Sequence, residues 1–215
     1  CYTRALEIDP GSGRVWNNKG VALNALGNNE EAVGCYGKAL EINPGLTGAW
    51  LNKGAVHQEL GNYGEAIRCY DKALGITPKN ARSWFNKGVS LGRLGRYEEA
   101  IGCYDIVLWI NPGLGGAWNN KGVALKELGN FEEAIVCYDK ILDRDLMNAE
   151  AWFNKGVALA NLGRFQEAVG CYDKALDVDP MDAEAWFNKG IALADLKKPQ
   201  EAIRCFERVI ILSLN

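Results

Sequence analysis

The pattern Trp-x-Asn-Lys-Gly occurs six times in this chain at one fixed spacing, and that period constrains the fold more than any other feature. Its tryptophans are Trp16, Trp50, Trp84, Trp118, Trp152 and Trp186, each 34 residues after the last. A chain of 215 residues would otherwise suggest one or two domains with ordinary cores. Self-similarity at a 34-residue step means instead an array of repeats, each burying its apolar face only against its neighbours.

One repeat, residues 13–46, reads as a helical hairpin. From Arg14 to Leu26 the apolar residues Trp16, Leu23 and Leu26 recur at helical spacing, and Gly27-Asn28 then stops the helix. A second helix starts near Glu30, with acidic residues at its positive end. It presents Ala32, Val33, Tyr36, Ala39 and Leu40 on one stripe and stops at Asn43-Pro44. Gly20 and Ala32 recur through to Gly190 and Ala202. A glycine inside a helix costs about 1 kcal/mol relative to alanine. Its retention predicts that the two helices cross there with their backbones close, Trp and Tyr filling the space on either side.

The net charge of −3 gives no argument for nucleic acid or an acidic membrane as partner. No apolar run approaches a spanning length, and no signal-peptide pattern opens the chain. The seven cysteines, from Cys1 and Cys35 through Cys69, Cys103, Cys137 and Cys171 to Cys205, keep the same period. Equivalent points on stacked helices lie about 8–10 Å apart, too far for a disulfide. No CxxC pair suggests zinc. The cysteines therefore read as small, reduced, partly buried side chains, which favours a cytoplasmic location.

The Trp, Gly, Ala, Tyr and Pro positions of each 34-residue unit resemble the tetratricopeptide repeat over essentially the whole chain. The resemblance implies an all-α, right-handed superhelical solenoid of stacked antiparallel hairpins, first helices lining the concave side and second helices the convex side. Six repeats would span 13–46, 47–80, 81–114, 115–148, 149–182 and 183–215, and residues 1–12 would be the second helix of a truncated preceding repeat. Several residues depart from the family pattern: the lysine after each asparagine, His57 at a leucine place, Arg144 and Leu146, and Lys197 at the turn glycine. Ile203, Phe206, Ile210 and Leu214 share a helix face that nothing later in the chain covers, so the sequence reads as a piece of a longer array.

Two positions after each tryptophan, about 200° round the helix from it, stands an asparagine: Asn18, Asn52, Asn86, Asn120, Asn154 and Asn188. If Trp faces its partner helix, these amides face the groove. A carboxamide carries both a donor and an acceptor, so a row of them can pair with the backbone of an extended peptide. Repeats about 8–10 Å apart would meet every third residue of such a ligand. The row is similar to that in the repeat domain of O-linked N-acetylglucosamine transferases, where it grips peptide backbone; here no transferase domain accompanies it. The carboxylate clamp of chaperone-tail-binding members needs a polar residue three places further on, where this chain has Val21, Ala55, Val89, Val123, Val157 and Ile191. An alternative is that the asparagines belong only to the repeat consensus and bond locally.

Lys19, Lys53, Lys87, Lys121, Lys155 and Lys189 form a second stripe about 100° round. Their stems either lie along the inter-repeat seam, or their amines lean inward and make a basic groove that favours acidic peptides. The residues just after each tryptophan vary: Asn17, Leu51, Phe85, Asn119, Phe153 and Phe187. They are candidates for groove specificity, or for packing against an adjacent first helix. Trp109, where other repeats have Glu41 and Asp177, reads as inter-repeat packing, the alternative being an exposed interaction spot. His57 has no catalytic partner pattern, and no phosphate-cradling loop or metal-ligand set is present in the sequence. No enzyme activity and no cofactor are expected. The leading expectation is a scaffold that cradles a protein or extended peptide. End-to-end self-association, or service as the regulatory or targeting arm of a larger enzyme, are the alternatives.

Overall fold

The computed structural model describes residues 11–214, and the helix expected over Cys1–Pro10 lies outside the described residues. The described residues form twelve helices and no strand. They fall into two compact units, one ending at Pro112 and one beginning at Gly113. In the first unit the hairpins are α1 (Gly13–Ala25) with α2 (Asn29–Ile42), α3 (Thr47–Glu59) with α4 (Tyr63–Ile76), and α5 (Ala81–Arg93) with α6 (Tyr97–Ile110). In the second they are α7 (Gly115–Glu127) with α8 (Phe131–Leu142), α9 (Ala149–Asn161) with α10 (Phe165–Val178), and α11 (Ala183–Asp195) with α12 (Pro199–Ser213). Within each unit the second helix of a hairpin packs on the first helix of the next, and successive first helices also touch.

Each hairpin turn follows from its glycine. Gly27 takes φ 79°, its N–H donates to the Asn24 carbonyl at 2.9 Å, and Asn28 N–H reaches the Leu23 carbonyl at 2.9 Å. These are the two bonds that close a helix through a left-handed residue. Lys197 keeps the geometry without the glycine: its φ is 60°, and Lys198 N–H donates to the Leu193 carbonyl at 2.9 Å. At the other departure, α8 ends early at Leu142, with Asp143 in a helical conformation beyond it.

The core of each hairpin is a tyrosine seated on a glycine. A Cβ added at Gly20 would lie 2.6 Å from Cε1 of Tyr36, and Gly54 stands in the same relation to Tyr70, Gly88 to Tyr104, Gly122 to Tyr138 and Gly156 to Tyr172. In the last hairpin Phe206 takes that seat over Gly190. The expected close approach of two backbones is thus corrected: the glycine admits an aromatic ring from the partner helix. The recurrent alanine serves the next interface, Ala32 packing with Tyr36 and with Val56 of the following hairpin.

Trp109 corrects another expectation. It stands 72% exposed with the Lys79 ammonium 5.8 Å from its ring, and so is not packed between repeats. On α12 the face that is covered elsewhere lies open. Ile210 is 59% exposed where the equivalent Leu74 and Leu176 are 7% and 6%.

Candidate functional site

The tryptophan of the repeated pattern ties each hairpin to the loop before it. Its indole N–H donates to a carbonyl six residues earlier: Trp50 to Pro44 at 2.9 Å, Trp84 to Pro78 at 2.8 Å, and Trp186 to Pro180 at 3.0 Å. Trp152 makes the same bond to Leu146 at 2.9 Å, so the bond is kept without the proline. The bond reads a backbone carbonyl, not a ring.

With the tryptophan anchored, the asparagine two places on reaches the preceding hairpin of the same unit in two repeats. Its partner depends on what that hairpin offers. Asn52 donates to the Asn17 amide oxygen at 3.1 Å, and Asn154 to that of Asn119 at 3.2 Å. Asn119 in turn donates to Glu150 at 2.7 Å, and Asn17 to Asn18 at 3.3 Å. Behind Asn86 stands Leu51, which has no polar atom to accept from it. Behind Asn188 stands Phe153, and Asn188 turns back to the Glu184 carbonyl at 2.9 Å. Asn154 is the most enclosed at 8% exposure, whereas Asn18 is exposed. One amide pair in each unit thus joins two successive first helices, Asn52 with Asn17 and Asn154 with Asn119, whereas Asn188 bonds within its own helix. The Tyr70 hydroxyl donates to Gln58, which accepts from the buried Ser90 at 3.0 Å. Sequence reading missed this cluster, although Ser90 stands out among the alanines at its place in later repeats.

The lysine row lies on a different seam. Lys87 pairs with Asp71 of the preceding hairpin at 2.6 Å, Lys155 with Asp139 at 2.5 Å, and Lys189 with Asp173 at 2.5 Å. The same ammoniums sit 5.0–5.6 Å from the ring centres of their own tryptophans. Lys19 and Lys121 likewise lie over Trp16 and Trp118, at 5.3 and 5.8 Å. Lys53 does not share this arrangement.

Among the variable positions, Leu51 is buried in the core. Phe85 meets Tyr104 edge-on at 6.0 Å, Phe153 lies against Tyr172 at 6.0 Å, and Phe187 against Phe206 at 5.8 Å. Each phenylalanine thus packs on the aromatic seat of its own hairpin. Phe187 alone of the three remains an exposed large hydrophobe, at 48%.

The six cysteines among the described residues are buried and form no disulfide. Burial pushes the Cys103 and Cys171 thiols up to about 11, which keeps them protonated and unreactive. His57 is half-buried with Nδ1 unpartnered, and its pKa is lowered, first by desolvation and then by Lys53. No group of three or more possible metal ligands occurs among the described residues. No helix among them is long and apolar enough to cross a membrane.

Comparison with solved structures places this geometry. YrrB, described as a TPR protein with an unusual peptide-binding site, superposes with a TM-score of 0.77 at 25% identity, covering 86% of this chain and 95% of that one. MamA from Desulfovibrio magneticus RS-1 gives 0.75 at 20% identity over 78% of this chain and 94% of that one, which shows likeness of fold alone. No curated protein sequence matches the chain significantly. Tetratricopeptide repeat profiles match residues 13–46, 46–108, 119–177 and 160–213. With hairpins, turn glycines and tryptophan anchors all following the 34-residue period, the chain belongs to the tetratricopeptide repeat family.

Proposed function

We propose that this protein is an interaction scaffold that holds an extended peptide segment along the first-helix face of each unit, through the asparagine row. The observation carrying the reading is the register of that row. Asn52 and Asn154 each reach an amide on the preceding first helix that lies just outside the row, Asn17 and Asn119. Such neutral bonds contribute only about 1 kcal/mol each, so a peptide backbone can exchange with them at little cost. The peptide-binding site named for YrrB is consistent with this use of the fold.

Selection of linear peptides from a displayed library on the wild-type protein would supply ligands. Fluorescence polarisation of the selected peptides against Asn18→Ala/Asn52→Ala/Asn86→Ala and Asn120→Ala/Asn188→Ala then tests the row. A loss of about tenfold, roughly two such bonds, is expected with helicity retained. Unchanged affinity in both variants rejects the row as a peptide site.

A second reading is favoured by the open face of α12. Ile203 is 55% exposed, while Ile67 and Val169 at the same place in their hairpins are each 7% exposed beneath the next hairpin. A second copy docking there would be seen as concentration-dependent mass by light scattering, abolished by Ile203→Glu/Ile210→Glu. A monomer at all concentrations counts against it.

A further inference from the structure

The second hairpin breaks the charge pattern of its neighbours at two places. Its lysine, Lys53, corresponds to Lys87, Lys155 and Lys189, each of which meets an aspartate of the preceding hairpin. Where that aspartate should stand the chain has Gly37, and Lys53 has no carboxylate within ion-pair distance among the described residues. On α4, Lys72 corresponds to Lys140 and Lys174, which meet Asp143 and Asp177 one turn on, at 3.9 and 3.6 Å. That place is Gly75. Two glycines therefore delete two acids and leave two ammoniums uncompensated on one hairpin.

The indole of the same hairpin, half-buried against Ala39, Leu40 and Ala49, lacks the ammonium that its counterparts carry. Lysines lie over Trp16, Trp84, Trp118, Trp152 and Trp186, but among the described residues none lies over Trp50. A cavity of about 340 Å³ opens between α3 and α4, lined by Trp50, Lys53, Arg68 and Lys72 together with Glu65 and Asp71. Both of those acids are already spent, Glu65 on Arg68 at 2.5 Å and Asp71 on Lys87 at 2.6 Å. An adjoining hollow continues past Trp50 and Lys72 to Pro44 and Ile76.

We propose that this cleft is a second interaction site, separate from the asparagine row, which takes an acidic segment of a partner polypeptide. Glutamate or aspartate carboxylates occupy the places vacated at Gly37 and Gly75 and meet Lys53 and Lys72. An apolar neighbour on the segment lies against Trp50 and Ile76. Charge complementarity selects the acid, and the indole and Ile76 select the apolar residue beside it, a combination that small anions lack. Exposed ammoniums also make the association salt-sensitive.

The test restores the missing acids. Beyond the helix's own local backbone, no atom lies within 4 Å of a Cβ built at Gly37 or at Gly75, so a side chain fits at either place. The probe is a fluorescein-labelled peptide of alternating Glu-Glu-Leu triplets, titrated by fluorescence polarisation at low salt. Gly37→Asp/Gly75→Asp is expected to fill the site from within and weaken binding about five- to tenfold, as for two exposed ion pairs. Lys53→Gln/Lys72→Gln should do the same, while Lys155→Gln should leave this peptide's affinity unchanged. Urea midpoints confirm that each variant is folded. Absence of wild-type binding, equal loss in Lys155→Gln, or no loss in Gly37→Asp/Gly75→Asp overturns the proposal. So does tighter binding of a single-stranded oligonucleotide with the same variant dependence.

Discussion

Gly54 lies directly beneath the ring of Tyr70: a methyl group on its Cα would come within 2.6 Å of Cε1, well inside contact distance. Tyr70 is fully buried and its hydroxyl is held by Gln58, so the ring cannot tilt away without breaking that bond. Gly54→Ala should therefore destabilise the protein by about 1–3 kcal/mol, the usual cost of overpacking. This is opposite in sign to the gain of about 1 kcal/mol that helix propensity alone predicts. Urea denaturation of the variant gives the sign, and Tyr70→Leu in the same background should recover part of the loss.

Lys197 occupies the left-handed turn position that glycine fills in the other hairpins, at φ 60°. A β-carbon there costs about 1 kcal/mol or more, and the turn's hydrogen bonds use only backbone atoms. Lys197→Gly is expected to raise the thermal midpoint by a few degrees, whereas Gly95→Lys, at φ 73°, should lower it by a similar amount.

The Lys155–Asp139 pair links two hairpins of the second unit, with the lysine side chain 21% and the aspartate 45% exposed. A double-mutant cycle with Lys155→Met and Asp139→Asn should give a coupling of about 0.5–1 kcal/mol, discounted for the aspartate's solvent exposure. The coupling should shrink in high salt. The indole contact with Trp152 survives the aspartate change, so Lys155→Met should be the costlier single substitution.

Burial holds the Cys103 and Cys171 thiols at about 11 against an ordinary value of 9.0, and the Tyr36 hydroxyl at about 12 against 10.0. Above pH 9 the unfolded chain therefore gives up protons that the native chain keeps. Stability is fully present below the unfolded values and is lost as pH climbs through the native ones. Urea midpoints should be flat near pH 8 and fall by about pH 10. A thiol reagent at neutral pH should label these cysteines only after denaturant is added.

The hairpin was legible in the sequence because its determinants are local. A left-handed glycine closes α1, and a tryptophan bonds a carbonyl only six residues back. A small residue on one helix and a tyrosine on the other mark each hairpin's closest contact, though sequence alone misread what fills it. The helical period places Asn52 on a face but cannot name its partner. That partner, Asn17, is 35 residues away, and the corresponding residue behind Asn188 is Phe153, which cannot accept a hydrogen bond. Trp109 was misread for a similar reason. Its apolarity suggested burial, and only the packed hairpins show its ring lying in solvent beside Lys79.

By itself the sequence determined that the chain forms helical hairpins, where each turns, and which apolar stripe each helix buries. All of this depends on spacings within one repeat, where helix geometry converts residue number directly into direction. Only the tertiary structure decided which amides are already engaged, that three lysines are neutralised across a seam, and that Lys53 is not. Those outcomes depend on whether side chains from different hairpins meet within about 3 Å, a distance that residue spacing does not encode.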